Sequence, residues 1–355
     1  MLGRGGGRSR RAPRRLRGGA LLRRLAPQVA IWLLLLLPIL IPFVAQAQAP
    51  TVARAEVWGP GAEAFAAGRY ADARRLLRAE SESNPAGASA PLYLGQIALA
   101  EGDGREAARW LERAARNDPN GAEAHWWLGR AYARQATRAG RLQQLSLARK
   151  IRSSFERAVA LDPDNVLARA DLMRFHLVAP GIAGGDASVA RAQAREIARR
   201  SAWRGRLAEG ALAERAKDAA RAEREYRAAI ALAPDSADAY VALGGMYERT
   251  GRHGDAVALY DALLKRDPRS AIAHYQIGRT VSVWGEQLQR GAESLERYVA
   301  GSPAPGDPSL ASAWYRLGMV QEKQGDATAA KRSYERTLLL DPAQDDARKA
   351  LKRLR

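Results

Sequence analysis

The stretch ADAYVALGGMYERTGRHGDAVALYDALLKRDPRS, residues 237–270, contains the pattern that decides the fold. Gly251 divides it in two, and a glycine suits a turn that a side chain would hinder. Pro268 comes at its end, and because proline lacks an amide donor and biases its predecessor away from helix, it ends the second half. The stretch therefore predicts two helices joined by a turn. Its other marked residues are Tyr240, Leu243, Gly244, Tyr247, Ala256, Tyr260 and Leu264.

Prolines recur along the chain at the length of this stretch. Pro85 and Pro119 are 34 residues apart, and so are Pro234 and Pro268. Similar phrases lead up to them, such as RAARNDP at 113–119 and RTLLLDP at 336–342. A fixed period of about 34 residues indicates helix–turn–helix units that stack on their neighbours.

The marked residues and the period resemble the tetratricopeptide repeat, from residue 54 onward. Residues 311–344 and 88–121 follow the pattern well, and the other units are degenerate or stretched. The resemblance implies an all-α, right-handed superhelical solenoid of about eight helix-turn-helix repeats with a C-terminal capping helix. The expected units are 54–87, 88–121, 122–165, 166–202, 203–236, 237–270, 271–310 and 311–344, with the cap at 345–355.

The N-terminus predicts export. Residues 1–28 contain nine arginines and no acid, and residues 29–44 form an apolar run that is interrupted by Pro38 and Pro42. An Ala-x-Ala site follows, as in a secretory signal peptide. We expect a signal peptide at 1–47, a linker at 48–53, and a periplasmic or otherwise exported protein. The alternative is an uncleaved inner-membrane anchor that leaves the repeats facing the periplasm, with membrane contact through residues 29–44.

Charge and composition limit the classes of partner. The net charge is +19, but nine of the 57 basic residues precede residue 29, and the other 48 face 38 acidic residues. This moderately basic body favours either an acidic protein partner or anionic lipid. No basic tract is interleaved with stacking aromatics, so we expect no nucleic acid. The chain has no cysteine, which excludes disulfides and thiolate chemistry.

Catalytic and metal-binding patterns are absent from the sequence. The four histidines are His125, His176, His253 and His274, and no two have the spacing of a helical metal pair. Nucleophile elbows and phosphate-binding loops are also missing. We expect no catalytic residues, no metal and no cofactor, and hence no enzyme.

Two insertions depart from the repeat. Residues 138–152 are basic and amphipathic, and are either a partner or membrane contact or a solvated extension of two helices. Residues 179–185 are rich in glycine. They are either an anion-binding helix start or a long connector, with Asp186 or Ser188 capping the helix that follows.

The inner face of the stack is the expected binding site. In tetratricopeptide arrays, residues on the first helix of each unit bind the partner. The resemblance implies the same role for the residues of this chain at the corresponding repeat positions. Exposed aromatics beside arginine would suit binding hot spots. The alternative is that Trp126 or Trp127 packs between the layers, since only one of them can face inward. The predicted groove residues are Trp126, Arg130, Arg134, Tyr275, Arg279, Tyr315, Met319 and Lys323.

The predicted function is that of a scaffold or adaptor of the bacterial cell envelope. A protein or peptide partner, acidic or extended, would lie along the groove. The alternative is a membrane-tethered maturation factor that resembles the repeat-bearing subunits of cytochrome c assembly machinery.

Overall fold

The computed structural model describes residues 59–354, and within this range every regular element is helical. Seventeen α-helices follow one another, with a single 3₁₀ turn at Gly181–Ala183. The α-helices are α1 Pro60–Ala66, α2 Tyr70–Ser83, α3 Ser89–Ala100, α4 Gly104–Asn117, α5 Ala122–Ala136, α6 Arg141–Leu161, α7 Val166–Val178, α8 Ala187–Arg200, α9 Ala202–Arg215, α10 Ala219–Leu232, α11 Ala237–Arg249, α12 His253–Arg266, α13 Ala271–Trp284, α14 Leu288–Val299, α15 Leu310–Gln324, α16 Ala327–Leu340 and α17 Asp345–Arg353.

The helices pair into eight consecutive hairpins, from α1/α2 to α15/α16, and α17 packs on the last hairpin. Each hairpin packs on the next, so the core runs along the stack. The prediction of an all-α solenoid is confirmed. The predicted signal peptide, anchor and linker lie outside the described residues. Within residues 59–354, no helix is both long and apolar enough to span a bilayer.

In seven of the eight described hairpins, a glycine in the first helix allows close contact with the second helix. In the sixth hairpin, a Cβ built on Gly244 would lie 2.2 Å from the Tyr260 hydroxyl oxygen. In the third hairpin, a Cβ on Gly129 would lie 2.4 Å from the ring of Phe155. Real Cβ atoms do not approach so closely, because interiors are already packed to crystal density. The glycine therefore allows a large ring on the second helix to fill the space between the two.

Capping residues and turns separate the helices where the repeat pattern expects them. Asp218 accepts hydrogen bonds at the start of α10, and Asp326 does so at the start of α16. Gly251 has φ 77°, a left-handed conformation that favours glycine, between α11 and α12. Local sequence thus accounts for these helix boundaries.

Two elements break the regularity. Helix α6 has 21 residues, whereas most second helices of the hairpins have 14. The connection from α14 to α15 has ten residues, 300–309, whereas four residues join α12 to α13 at 267–270. Both irregular elements lie at the same cavity, which is described below.

The stack curves until its C-terminal part meets the second and third hairpins. Arg138, after α5, forms a bidentate ion pair with Asp341, after α16, although 203 positions separate them in the chain. Ser309 lies against Gly102 in the second hairpin, since a Cβ on that glycine would be 3.3 Å from the Ser309 Cβ. The concave face of the solenoid is therefore enclosed on several sides.

Candidate functional site

The concave face contains a cavity of about 730 Å³. Helices α5, α6 and α7 line one side, and α13, α15 and residues 306–309 line the other. The ion pair between Arg138 and Asp341 also contributes to the lining. A cavity of this size is large enough for a drug-sized molecule or for several residues of an extended chain.

Arginine is the dominant charged residue in the cavity wall. The arginines that line it are Arg130, Arg134, Arg138, Arg174, Arg279 and Arg316. The carboxylates in the same wall are Asp171, Asp307, Asp341 and Asp346. The positive excess favours an anionic group inside the cavity.

Arg130 lies at the centre of the wall in an aromatic cage. Its guanidinium carbon lies 5.3 Å from the ring centroid of Trp126 and 4.7 Å from that of Trp127, both within the range of a cation–π contact. Asp171 lies 3.9 Å from Arg130 Nε and accepts a 2.9 Å hydrogen bond from Trp126 Nε1. Burial lowers the pKa of Arg130, and Asp171 opposes that shift. The cage therefore fixes a guanidinium at the cavity wall.

Two arginines of the wall have no carboxylate partner. Among residues 59–354, no carboxylate oxygen lies within the 4.0 Å of an ion pair from Arg134 or Arg316. Arg134 Nε donates to the carbonyl oxygen of Gly102 over 3.3 Å, and Arg316 Nη1 lies 3.4 Å from the hydroxyl of Ser282. Burial lowers the pKa of Arg134. Both guanidinium groups would gain from an incoming anion, because charged hydrogen bonds are stronger than neutral ones.

The remaining arginines of the wall are held by carboxylates. Arg279 pairs with Glu248, and its Nε donates to Gln276 Oε1 over 2.7 Å. Arg174 lies 3.4 Å from Asp171. These pairs leave Arg134 and Arg316 as the cations that can best receive a new anion.

Tyrosines complete the lining on the C-terminal side. Tyr275 is buried, and its hydroxyl lies 2.9 Å from that of Ser312. Tyr315 is half-buried and stacks near Tyr334, with ring centroids 5.9 Å apart. The cavity thus combines arginine with tyrosine, two residue types that are common in protein-binding hot spots.

The eight predicted groove residues divide into two sets. Five of them line the cavity together, and three do not. The five are Arg130, Arg134, Tyr275, Arg279 and Tyr315, and the three are Trp126, Met319 and Lys323. Binding by any of them stays a prediction.

The expectation that the groove aromatics are exposed is wrong for Trp126 and Tyr275. Their exposed fractions are 7% and 5%. Trp126 is covered because Asp171 and Arg130 pack against it. Tyr275 is covered because it packs on Tyr298, with ring centroids 5.1 Å apart. Both rings support the wall of the cavity.

Met319 and Lys323 have other surroundings. Met319 packs in the cluster around Tyr334, and its sulfur lies 3.7 Å from Arg316 Nη1. Lys323 is exposed, and its Nζ donates to the carbonyl oxygen of Val283 over 3.1 Å. Lys323 therefore contacts the seventh hairpin, whereas Met319 packs within the eighth hairpin and against α17.

Sequence reasoning missed Asp171, Arg174 and Arg316 as lining residues, although they lie on first helices of their hairpins. It also missed Asp307, which belongs to the stretched unit 271–310. The feature of the sequence that pointed to this segment is its three prolines, Pro303, Pro305 and Pro308, since the regular connections between repeats contain one proline each.

The two insertions both reach the cavity. Leu145, Ala148 and Ile151 of α6 line it, whereas Leu142 is 88% exposed. In the second insertion, Asp186 caps α8 by accepting from the amides of Ser188 and Val189. The connector interpretation of residues 179–185 therefore fits the structure, since the carboxylate of Asp186 takes the helix start.

No group of three or more metal-binding side chains occurs in the described part of the chain. His176 and His274 are buried, and burial lowers the pKa of each. His274 lies 3.3 Å from the carbonyl oxygen of Pro268 through its Nε2 atom. These histidines pack between helices and lie outside the cavity wall.

Comparison with known families finds the same repeat in several places. A family model for the tetratricopeptide repeat matches residues 61–122, 97–144 and 207–271. A second model with the same description matches residues 311–344. No curated protein sequence matches the chain.

Two of the similar solved structures are described as tetratricopeptide repeat proteins, and a third is a chain of a hetero-tetrameric complex. A tetratricopeptide repeat protein from Parabacteroides merdae is 12% identical, covers 83% of this chain and 95% of its own, and has a TM-score of 0.42. A thermophilic TPR protein from Thermus thermophilus is 18% identical, with 62% and 95% covered and a TM-score of 0.40. A chain of the APC/C hetero-tetramer Cut9–Hcn1 is 14% identical, with 83% and 54% covered and a TM-score of 0.42.

Proposed function

The chain is an all-helical protein built of tetratricopeptide repeats, and from that premise we propose that it is a non-enzymatic scaffold whose concave cavity binds an acidic, extended segment of a partner protein. Tetratricopeptide arrays are in general protein-interaction scaffolds. The curvature of the stack leaves a cavity that several hairpins share, as a site for an extended chain requires.

The observation that carries the proposal is the pair of arginines without carboxylate partners. Arg134 and Arg316 lie on opposite sides of the cavity, on α5 and α15, and each lacks an ion-pair partner among residues 59–354. A carboxylate placed beside either guanidinium would replace weak contacts to neutral oxygens with charge-assisted hydrogen bonds. The groove therefore favours aspartate or glutamate side chains over neutral ones.

We further propose that the scaffold acts in the cell envelope. The support is the arginine-rich start and the apolar run of residues 29–44, which precede the repeats. A tethered maturation factor is the other arrangement, and it requires that this run stay attached. N-terminal sequencing of the mature protein separates the two. A start near residue 48 removes the tether, and an intact N-terminus supports it.

Photocrosslinking tests the binding role. Trp126 and Tyr275 are too buried for this purpose, so p-benzoylphenylalanine is placed at the half-buried Tyr315. The control position is the exposed Glu335 on α16. We expect Tyr315 to capture a protein that Glu335 does not, and an acidic peptide to compete with the capture. Identical captures from both positions would refute the proposal.

A further inference from the structure

The connection between α14 and α15 contains five extra residues. Leu295 packs against Gly278 in the seventh hairpin, as Tyr260 packs against Gly244 in the sixth. Ala271 and Ala311 hold the same place in consecutive repeats, seven positions before the helix glycine. Tyr260 precedes Ala271 by 11 positions, whereas Leu295 precedes Ala311 by 16. The extra residues fall within the sequence SPAPGDPS at 302–309, hereafter called the insert.

The insert crosses to the first three hairpins of the stack. A Cβ built on Gly306 would lie 2.8 Å from Nη2 of Arg130, so the backbone of the insert packs directly on that guanidinium. Gly306 has φ 94°, which suits a residue without a side chain. Ser309 packs on Gly102, and Tyr298 donates a hydrogen bond to the carbonyl oxygen of Pro308. The insert is therefore an ordered wall of the cavity.

The carboxylate of Asp307 lies within this wall, near Arg130. Its Oδ2 atom accepts a 2.9 Å hydrogen bond from the amide of Ala304, and its own amide donates to the carbonyl oxygen of Ala304 over 2.9 Å. Its Oδ1 atom is buried and has no hydrogen-bond partner, and neither has Nη1 of Arg130. The two opposite charges attract, but no direct hydrogen bond joins them.

This contact resembles the one that an acidic peptide would make, but it is incomplete. The insert is rich in proline and contains one carboxylate, its backbone turns at residues 304–307, and its prolines at 303 and 305 are buried. Proline lowers the entropy lost when an extended segment docks. A buried oxygen without a partner lowers the stability of the docked insert. A partner that satisfies Arg130 fully can therefore displace it.

We propose that the insert is an internal occupant of the groove, and that an acidic, proline-containing segment of the partner competes with it for the cavity beside Arg130. This inference rests on the proposed function and adds the chemistry of the partner to it. An attached competitor has an effective concentration in the millimolar range. The apparent Kd for a free peptide is then the intrinsic Kd divided by the fraction of molecules in which the site is open, so binding is weaker.

Two variants test this competition. The first deletes residues 304–308, which restores the 11-residue spacing of the sixth hairpin and keeps Ser309 as the cap of α15. The second replaces residues 304–308 by Gly-Ser-Gly-Ser-Gly, so the length of the connection is unchanged. Circular dichroism and thermal unfolding verify that each variant is folded. The replacement keeps the test valid if the deletion prevents folding.

The probe is a fluorescein-labelled peptide with the sequence GSPAPGDPS, and binding is followed by anisotropy. We expect each variant to bind it at least about tenfold more tightly than the wild type, because the internal competitor is gone. A second probe, GSPAPGNPS, lacks the carboxylate and should lose most of that gain, because the free peptide, unlike the insert, can bring its carboxylate within hydrogen-bond distance of Arg130. Arg130→Gln in the deletion background should also weaken binding of the acidic probe.

The outcomes separate this inference from the function on which it rests. One outcome is that folded variants bind the acidic probe no more tightly than the wild type, while the added change Arg134→Gln weakens binding of the probe to each of these proteins. In that case the insert is not a competitor, but the acidic groove is supported. If no variant binds either the probe or a poly-glutamate peptide, both the insert's role and the proposed function are refuted.

Discussion

Arg138 and Asp341 form an ion pair that joins the third hairpin to the end of the eighth, with Arg138 Nη1 donating to Asp341 Oδ1 over 3.2 Å. The residues are 203 positions apart, so the pair exists only because the stack curves far enough to bring them together. It lies in the wall of the cavity. The contact therefore reports how closed the groove is.

Loss of this ion pair should open the array without unfolding it. Arg138 is 43% exposed but the Asp341 side chain only 13%, and without Arg138 its carboxylate keeps just the Ala343 amide as a donor, so Arg138→Gln should cost about 1–3 kcal/mol of unfolding free energy. The radius of gyration from small-angle X-ray scattering should nevertheless increase, because the ends are less constrained. The control is Arg348→Gln, which removes a pair with Asp345 inside α17. Equal radii for the two variants would show that the ion pair does not hold the ends together.

The hairpin contact gives a second prediction. Gly244→Ala should destabilise the protein by about 1–3 kcal/mol, since the new Cβ would overlap with Tyr260. Gly245→Ala is the matched control one position away, where the nearest atom is the movable Nη1 of Arg249 at 3.2 Å. That change should be neutral or stabilise the helix by up to about 1 kcal/mol. Urea denaturation measures both, and equal losses would contradict the packing account.

The insert gives a dependence on pH. Burial raises the pKa of Asp307 to about 6, although the Ala304 amide and Arg130 oppose the shift. The folded chain therefore keeps a proton between about pH 4 and 6 that the unfolded chain releases. The stability that this carboxyl contributes at low pH is lost as the pH rises through 6. Tyr70 and Tyr298 are the other titratable groups that face it.

Asp307→Asn should consequently raise Tm by a few degrees at pH 8, because asparagine can still accept from the Ala304 amide but carries no buried charge. The difference from the wild type should shrink towards pH 4.5. Asp267→Asn is the control, since Asp267 is exposed in the corresponding connection after α12. A gain that is the same at both pH values would rule out ionisation of Asp307 as the cause.

The sequence predicted what depends on contacts within one hairpin. Gly244 and Tyr260 are 16 positions apart, and their pattern recurs, so both the helices and their packing could be inferred from a single unit. Arg134 and Tyr315 were placed on the inner face for the same reason, because each has a defined place in its repeat. Local pattern is sufficient where each unit contacts only its neighbours.

The sequence did not predict what depends on curvature over many hairpins. The cover over Trp126 comes from Asp171, which lies 45 positions away on another helix. The contact between Gly306 and Arg130 depends on the sum of small rotations between hairpins, which no single repeat encodes. The unusual proline content of the insert was visible, but its position across the groove was not.

The most direct test of the central claim, that the arginine cavity binds an acidic extended segment, is the affinity of an aspartate-rich peptide for two arginine variants. Arg134→Gln removes a cavity cation, and Arg336→Gln removes an exposed cation from α16. We predict that Arg134→Gln weakens binding at least about tenfold, while Arg336→Gln leaves it unchanged at the same salt concentration. Equal affinities for the two variants would contradict the account.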